Sequence, residues 1–391
     1  MKIILISRGI PSEKNPQWGC FEKDQAEALV SYGHEVFVIS VDSRFEYKRG
    51  KYGLHKCEIN GAKYYNYITP PGIIFEKIFG ENKYRLKYRN QLFQKIVNQI
   101  ISEHGKPQII YSHFFQNTIQ GKLLEEKFDI PLVAIEHLAR FNESKLDNFT
   151  YKWANFAYKN LNTIITVSDS LGKSLQKWYN IPSYKVIHNL YGAEFGKYIP
   201  QNKINEKFIF VSCASLVHRK GFDILIKALS KINIPKEKWI LNIIGWGEEK
   251  VILENMIKAN HLENNIFLLG KMNKKSVACQ LSKSNAFILP SRNENFSVSI
   301  LEALSMGLPI VSTDCGGIRN CIHSENGLIV PVEDIDSLTV ALENIYTNYN
   351  KFDREKIHKD CVLKFSPKAI ASQLTKIFED TIDYYETKKK I

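Results

Sequence analysis

The segment Leu289-Pro290-Ser291-Arg292-Asn293-Glu294-Asn295-Phe296-Ser297-Val298-Ser299-Ile300-Leu301-Glu302-Ala303-Leu304-Ser305-Met306-Gly307-Leu308-Pro309 reads as a strand end, a loop, a helix, a glycine stop and a second strand. Gly307 stands where a helix C-cap belongs, and Pro309 prevents continuation. Asn293 or Asn295 suits the amino-terminal cap, so the helix is expected to begin near Asn295 and to fill about 296–306. Strand, helix and strand in that order form one crossover unit of a parallel sheet.

The same alternation extends in both directions. A first series of strand-length apolar runs comprises Lys2–Ser7, Glu35–Ser40, Gln108–Ser112, Leu132–Glu136, Thr163–Val167 and Lys185–His188, with helices expected at about 20–33, 83–103, 151–160 and 170–179. A second series comprises Phe208–Cys213, Trp239–Ile244, Ile266–Leu269, Ala286–Leu289 and Pro309–Ser312, with helices at about 221–232, 248–260, 274–283 and 296–306. Between them the polar, proline-containing stretch 198–207 reads as a linker. The expectation is therefore two doubly wound parallel-sheet α/β domains facing a cleft, residues 1–195 and 196–369, with a helix at about 370–391 packing back on the first. A length of 391 residues agrees, since single cores rarely exceed ~250–300 residues.

Composition narrows the function classes. Hydrophobic residues at 44% and charged residues at 24% describe a globular chain. Its apolar runs are far shorter than the ~18 residues of a membrane-spanning helix. The first residues read as a buried strand in place of a signal peptide, so a cytoplasmic location is expected. The seven cysteines form no C-x-x-C pair, which disfavours a disulfide framework or a structural zinc site. A net charge of +12 favours anionic partners: nucleotides, nucleic acid or an acidic membrane surface.

Several residue patterns bear on chemistry. The N–H groups of a helix's first turn lack intrahelical partners and carry the positive end of the dipole, so a diphosphate is favoured at the start of the 296–306 helix. Glu294 stands just before that end and Glu302 about eight residues along, roughly 12 Å of axial separation at ~1.5 Å per residue. Carboxylates accept hydrogen bonds from vicinal hydroxyls, so the pair suits a ribose at one end and a hexose at the other; a helix carrying two solvated acids reads the same way. Gly316-Gly317 after the next strand allows close backbone approach, or makes a plain turn. Lys220, before Gly221, is a compact charge suited to phosphate, or a solvated lysine before a turn. His137 follows the strand 132–136 and His113 follows the strand 108–112; read alone, each is a surface loop residue. Gly19 reads alone as a flexible turn.

Taken together, these stretches resemble the family 4 glycosyltransferases along nearly the whole chain. The family's E-x7-E element corresponds to Glu294 and Glu302, within a setting similar to P-S-x-x-E-x-F-G-x-x-x-x-E-A-x-x-x-G-x-P. Gly33-His34-Glu35-Val36, Val167-Ser168, Val186-Ile187-His188-Asn189, Lys220-Gly221-Phe222-Asp223, Gly245-Trp246-Gly247, Leu269-Gly270 and Glu325-Asn326-Gly327-Leu328 match further pieces in order. The resemblance implies the GT-B fold of two Rossmann-like domains, the first binding acceptor and the second the nucleotide sugar. It implies retaining transfer of a sugar from a UDP- or GDP-linked donor to a hydroxyl of a glycan or lipid-linked glycan, in cell-surface polysaccharide synthesis, with no catalytic metal and no resident cofactor.

Carried over position by position, Glu294 contacts the donor sugar near the reacting carbon, Glu302 holds the ribose, Lys220 neutralises the diphosphate and His137 faces the sugar, with His113 competing for that place and ranked below it. Backbone of Gly19 and of Asn295, Phe296, Ser297 and Val298 meets the phosphates. Three departures stand out. Ser215 occupies the place of an arginine that usually assists the lysine, and the nearest substitute, Arg219, is expected to point away from Lys220. Phe296-Ser297 replaces phenylalanine-glycine, and Gly19 stands alone where a glycine pair is common.

Two other functions fit parts of the pattern: a nucleotide-sugar epimerase of similar fold, which the E-x7-E setting disfavours, and a basic nucleic-acid-binding protein, for which no recognition motif is present, so no nucleic-acid partner is expected. The run Ile73, Ile74, Phe75, Ile78 and Phe79 followed by Lys83, Tyr84, Arg85, Lys87, Tyr88 and Arg89 reads as a peripheral contact with the inner face of an anionic membrane, or as an ordinary helix with a basic side.

Overall fold

The computed structural model describes residues 1–12, 15, 18–43, 52–70, 82–196 and 206–389. The expected linker therefore lies outside the described residues up to 205, as do Ile73 to Phe79 and the side chains of Lys83, Tyr84 and Arg85. The chain splits into two compact units, Met1–His188 with Ile370–Ile391, and Asn189–Ala369. The division falls after His188, earlier than the expected 195. Asn189 is buried and its amide donates to the Phe296 carbonyl at 3.2 Å, which ties residues just after 188 to the second unit.

In the first unit the strands are β1 (Lys2–Ile6), β2 (Glu35–Asp42), β3 (Gly53–Ile59), β4 (Ala62–Ile68), β5 (Ile109–His113), β6 (Leu132–Glu136), β7 (Thr163–Thr166) and β8 (Lys185–Val186). Their order is β3-β4-β2-β1-β5-β6-β7-β8, parallel except for the β3–β4 pair. Ile3 to Ile6 are fully buried because helices cover both faces of a parallel sheet, and this is why β1 reads as an unbroken apolar run. The chain turns one way from β1 to β2 and the other way from β1 to β5. Loops following β1 and β5 thus diverge at the carboxyl edge and leave a crevice, the topological switch point.

Residues 53–68, where no strand was expected, form an antiparallel hairpin. Asn60 and Gly61 both take positive φ, 49° and 82°, as a two-residue hairpin turn requires. Helices α1 (Cys20–Ser31), α2 (Asn82–His104), α3 (Phe114–Phe128), α4 (Asn148–Tyr158) and α5 (Asp169–Tyr179) accompany these strands. Asp147 and Ser168 cap α4 and α5 by accepting from Thr150 N and Leu171 N.

The second unit contains β9 (Phe208–Cys213), β10 (Trp239–Ile244), β11 (Ile266–Gly270), β12 (Ala286–Leu289), β13 (Ile310–Thr313) and β14 (Gly327–Val330), paired in parallel in the order β11-β10-β9-β12-β13-β14. Its switch point lies between β9 and β12. Helices α6 (Phe222–Lys231), α7 (Lys250–Ala259), α8 (Lys274–Lys283), α9 (Val298–Ser305), α10 (Ile335–Thr347) and α11 (Arg354–Phe365) surround the sheet. Phe210, Phe222, Trp239 and Leu342 belong to one buried apolar cluster beneath them.

A last helix, α12 (Pro367–Lys389), joins the first unit from Ile370 onward. Phe378 packs edge-on against Tyr111 of β5 with ring centroids 5.0 Å apart, while Ser372, Thr375 and Thr381 bond to Tyr32, His34 and Thr163. Phe378 is fully buried, so Phe378→Ala is expected to destabilise the first unit by about 3–5 kcal/mol. Chemical denaturation followed by fluorescence measures that loss, and a change within error would contradict the packing.

Candidate active site

At the second switch point three loops converge on one carboxylate. Residues 218–220 make a single 3-10 turn after β9, and Gly221 closes it at φ +68°. A Cβ on Gly221 would lie 2.0 Å from the Pro290 carbonyl oxygen, so the β9 and β12 loops touch with no space for a side chain. Lys220 Nζ forms an ion pair with Glu294 Oε1, and Ser291 Oγ donates to the same oxygen at 3.0 Å. From the other side Glu294 N donates to the Cys315 carbonyl at 2.6 Å, and Gly316 bridges to Glu294. Gly316 has φ +117°, and a Cβ there would lie 1.8 Å from the Glu294 carbonyl oxygen.

Arg219 corrects one expectation. Its Nη1 lies 3.7 Å from Glu294 Oε2 and donates to the Asn293 carbonyl at 2.7 Å, so it converges on the carboxylate that Lys220 holds. The tight turn and the carbonyl anchor bring the long guanidinium around. A second ion pair fastens the loops: Arg292 donates in bidentate fashion to Asp223, both bonds 2.9 Å, and its own N–H donates to the Arg219 carbonyl at 2.8 Å. Burial works to raise the Asp223 carboxyl, but the bonds from Arg292 prevail and hold it below its ordinary value.

The helix start also differs from expectation. Helix α9 begins at Val298, with Ser297 at the cap position, so neither Asn293 nor Asn295 caps it. Asn295 and Phe296 are instead tied by their carbonyls, which accept from Gly317 N at 3.0 Å and Asn189 Nδ2 at 3.2 Å. The helical rise therefore applies only from Val298 to Glu302, about 6 Å, and the 12 Å figure for Glu294 to Glu302 does not hold. Glu302 lies within electrostatic reach of Cys213 at the end of β9. The thiol is pushed up to about 12 by burial first and by Glu302 next, with Lys220 opposing. Burial likewise raises Cys315 to about 12, where a bond with Thr313 opposes it, Glu294 adds to it and Lys220 opposes it. Glu294 and Lys220 thus both act on Cys315 after β13, and Glu302 and Lys220 on the end of β9. Ser215 lies in the same loop, its carbonyl accepting from Val217 N at 3.0 Å. Among the described residues, no group of three or more His, Cys, Asp and Glu is placed to hold a metal ion.

The first switch point has its own cluster, most of which sequence reasoning missed. Gly19 caps α1 at φ +78°, and a Cβ there would lie 2.1 Å from the Gly9 carbonyl oxygen. Arg8 Nε donates to the buried Glu22 carboxylate at 2.8 Å, and its guanidinium lies 4.0 Å from the Phe114 ring centroid. The Glu136 carboxylate, fully buried at the end of β6, accepts from the N–H groups of His137 at 2.7 Å, Leu138 at 2.8 Å and Phe115 at 3.0 Å, and from the Tyr158 hydroxyl. Burial nonetheless raises its pKa above the ordinary value.

His137 and His113, competing candidates in the sequence, are brought together. His113 Nδ1 lies 3.1 Å from His137 Nε2, and Phe21 stacks on His137 with ring centroids 5.2 Å apart. Burial first and the Arg8 charge second hold His113 well below the ordinary histidine value. A neutral His113 sharing one proton with His137 fixes the orientation of that ring.

Comparison with known proteins identifies the family and the fold. The family described as Glycosyltransferase Family 4 matches residues 23–191, and that described as Glycosyl transferases group 1 matches residues 195–359. The chain belongs to the family 4 glycosyltransferases. An uncharacterized glycosyltransferase of Methanocaldococcus jannaschii is 25% identical over 97% of this chain and 98% of its own length. The chain spans about half, or less, of the length of several other curated relatives it matches. Among solved structures, sucrose-phosphate synthase of Thermosynechococcus elongatus superposes with TM-score 0.77 at 18% identity, over 97% of this chain and 98% of that one. HepE of Anabaena, solved in complex with UDP, gives 0.72 at 17%, over 97% and 99%. At such identities these likenesses show the shared GT-B fold.

Two outcomes follow for this glycosyltransferase. Lys220 and Glu294 side chains are 13% and 10% exposed, so Lys220→Ala leaves a largely buried carboxylate without its main partner. The expected loss is about 3 kcal/mol, the lower end of the range for such removals because Arg219 and Ser291 remain. Lys220→Ala combined with Glu294→Gln should recover part of it, and strict additivity in chemical denaturation would contradict the pairing. For His113 the folded-state pKa is depressed, so the unfolded chain binds more protons as pH falls below about 6.5. Its stabilising contribution is complete above that value and is lost on acidification. Thermal melts between pH 7 and 5 should therefore fall more steeply for the wild type than for His113→Asn, and parallel slopes would contradict the assignment.

Proposed function

We propose that this transferase retains configuration as it moves a sugar from a UDP- or GDP-linked donor to a hydroxyl of a glycan or lipid-linked glycan, in cell-surface polysaccharide synthesis. The observation that carries the reading is the Lys220–Glu294 pair at the switch point beside the start of α9. A nucleoside diphosphate has the charge to compete for Lys220 and for the N–H groups of the first helical turn. UDP bound to HepE supports a nucleotide donor in a protein of this fold.

In this reading the bond between the sugar's anomeric carbon and the diphosphate oxygen breaks, and the acceptor oxygen bonds to the same carbon on the same face. The acceptor proton passes to the departing phosphate. Lys220 and Arg219 stabilise the charge that develops there, which is the usual largest catalytic contribution. Backbone N–H groups from Asn295 to Val298 and of Gly19 serve the phosphates, and Ser215 contributes at the place of the absent arginine. Glu302 accepts from ribose hydroxyls, Glu294 from the donor sugar, and His137 bonds a sugar hydroxyl. With the cationic groups supplying the neutralising charge, turnover is independent of an added metal and of any resident cofactor. A lipid-linked acceptor implies contact with an anionic membrane face.

The test is nucleotide release from a panel of UDP-, GDP- and ADP-linked sugars, with and without membrane glycolipid extract. The expected result is release from one donor class, dependent on acceptor and unchanged by EDTA. Glu302→Ala should weaken nucleotide binding by about 1–3 kcal/mol, and Glu294→Gln should lower kcat more than donor affinity. Epimerised donor without nucleotide release, or activity abolished by EDTA and restored by Mg2+, would contradict the reading.

A further inference from the structure

Helix α4 is built inside out. It buries Thr150, Ala154, Ala157 and Tyr158, while Phe149 and Phe156 are 47% and 46% exposed. Burying two phenylalanines in place of two alanines would release more apolar surface from water, so packing within the unit does not explain the arrangement. Phe149, Trp153 and Phe156 follow the i, i+4, i+7 spacing of one helix face, and their rings lie in sequence, 6.3 Å from Phe149 to Trp153 and 6.3 Å from Trp153 to Phe156. The result is a continuous aromatic stripe along the outside of the helix.

The charge on the helix itself has one sign. Residues 148–161 include Lys152 and Lys159 and no aspartate or glutamate. Lys152 Nζ lies 5.8 Å from the Trp153 ring centroid. Lys122 reaches over from α3, places its Nζ 5.3 Å from the Phe156 ring centroid and donates to the Phe156 carbonyl at 3.0 Å. The nearby acids are Glu125 and Glu126 of α3, which act on Lys122, and the cap residue Asp147, which is paired with Arg140. Aromatic rings between lysine stems are the chemistry of a surface lying in the headgroup layer, where rings reach the acyl boundary and ammonium groups meet phosphates.

We propose that the Phe149–Trp153–Phe156 face of α4, with Lys122, Lys152 and Lys159, docks the chain on an anionic phospholipid bilayer. The carboxyl end of β6 leads into α4, so the amino end of the helix, with Phe149, follows from the sheet edge that carries His113 and His137. A bilayer held there brings a lipid-borne acceptor to that edge. This last consequence rests on the function proposed above; the docking itself does not.

The experiment is sedimentation of the full chain with phosphatidylcholine vesicles, with and without phosphatidylglycerol, in the absence of any sugar substrate. The wild type should pellet with anionic vesicles, and less so as salt rises. Phe149→Ser with Phe156→Ser should lower the partition coefficient at least about tenfold, as expected for two half-buried rings withheld from the acyl boundary. Lys152→Glu with Lys159→Glu should lower it further at low salt than at high salt. Brominated lipid should quench tryptophan fluorescence of the wild type, and that quenching should vanish in Trp153→Phe while pelleting persists. These side chains are exposed or half-buried at one surface, so unchanged thermal melts verify that the variants fold. Equal pelleting of the wild type and the double phenylalanine variant would overturn the proposal. So would a wild-type dimer in light scattering that the same variant converts to monomer with no vesicle binding by either.

Discussion

The ion pair between Lys220 and Glu294 is the interaction on which the second unit's site depends. It lies where the chain reverses direction across the sheet, so its partners come from the loops after β9, β12 and β13. Bringing three backbones to one carboxylate leaves no room for side chains at Gly221 and Gly316, and those positions take positive φ. A largely buried charge pair adds little net stability over an apolar substitute, because desolvation offsets attraction. Its value here is positional: a carboxylate fixed by lysine, serine and backbone, beside a helix start that favours anions. Any anionic ligand that takes Lys220 must leave Glu294 with Ser291 and Arg219, and that exchange couples ligand binding to the position of the carboxylate.

The first unit follows the same scheme with different chemistry. Its buried carboxylate, Glu136, is satisfied by three N–H groups and a hydroxyl, and among the described residues no cation forms an ion pair with it. The bonds fix the backbone at His137 and link it to the first turn of α3, while His113 and Phe21 fix the ring itself. Arg8 lies next to this cluster but is committed to Glu22, and its charge helps to keep His113 neutral. Each sheet thus presents at its switch point a side chain held from several directions, which is what chemistry at a defined geometry requires.

Most of the sheet framework was legible because parallel strands covered on both faces read as continuous apolar runs, as Ile3 to Ile6 and Ala286 to Leu289 do. The hairpin at 53–68 was missed because β3 is largely exposed and lacks such a run, although Asn60-Gly61 was a readable turn signal. The spacing of Glu294 and Glu302 in the second unit was legible because both lie in one short segment. Their surroundings were not, since Arg219 approaches Glu294 only through a 3-10 turn and a carbonyl 74 positions away. The first-unit cluster was less legible still. Arg8 and Glu22 are 14 positions apart and His113 and His137 are 24 apart, distances at which only the folded sheet sets proximity.

The central claim, that Lys220, Glu294 and Glu302 form the donor site, is tested most directly by a crystal structure of the chain with a nucleoside diphosphate bound. The account predicts phosphate oxygens within hydrogen-bonding distance of Lys220 Nζ and of N–H groups at the start of α9, with ribose hydroxyls on Glu302. A nucleotide bound away from the β9–β12 switch point, with Lys220 still paired to Glu294, would contradict it.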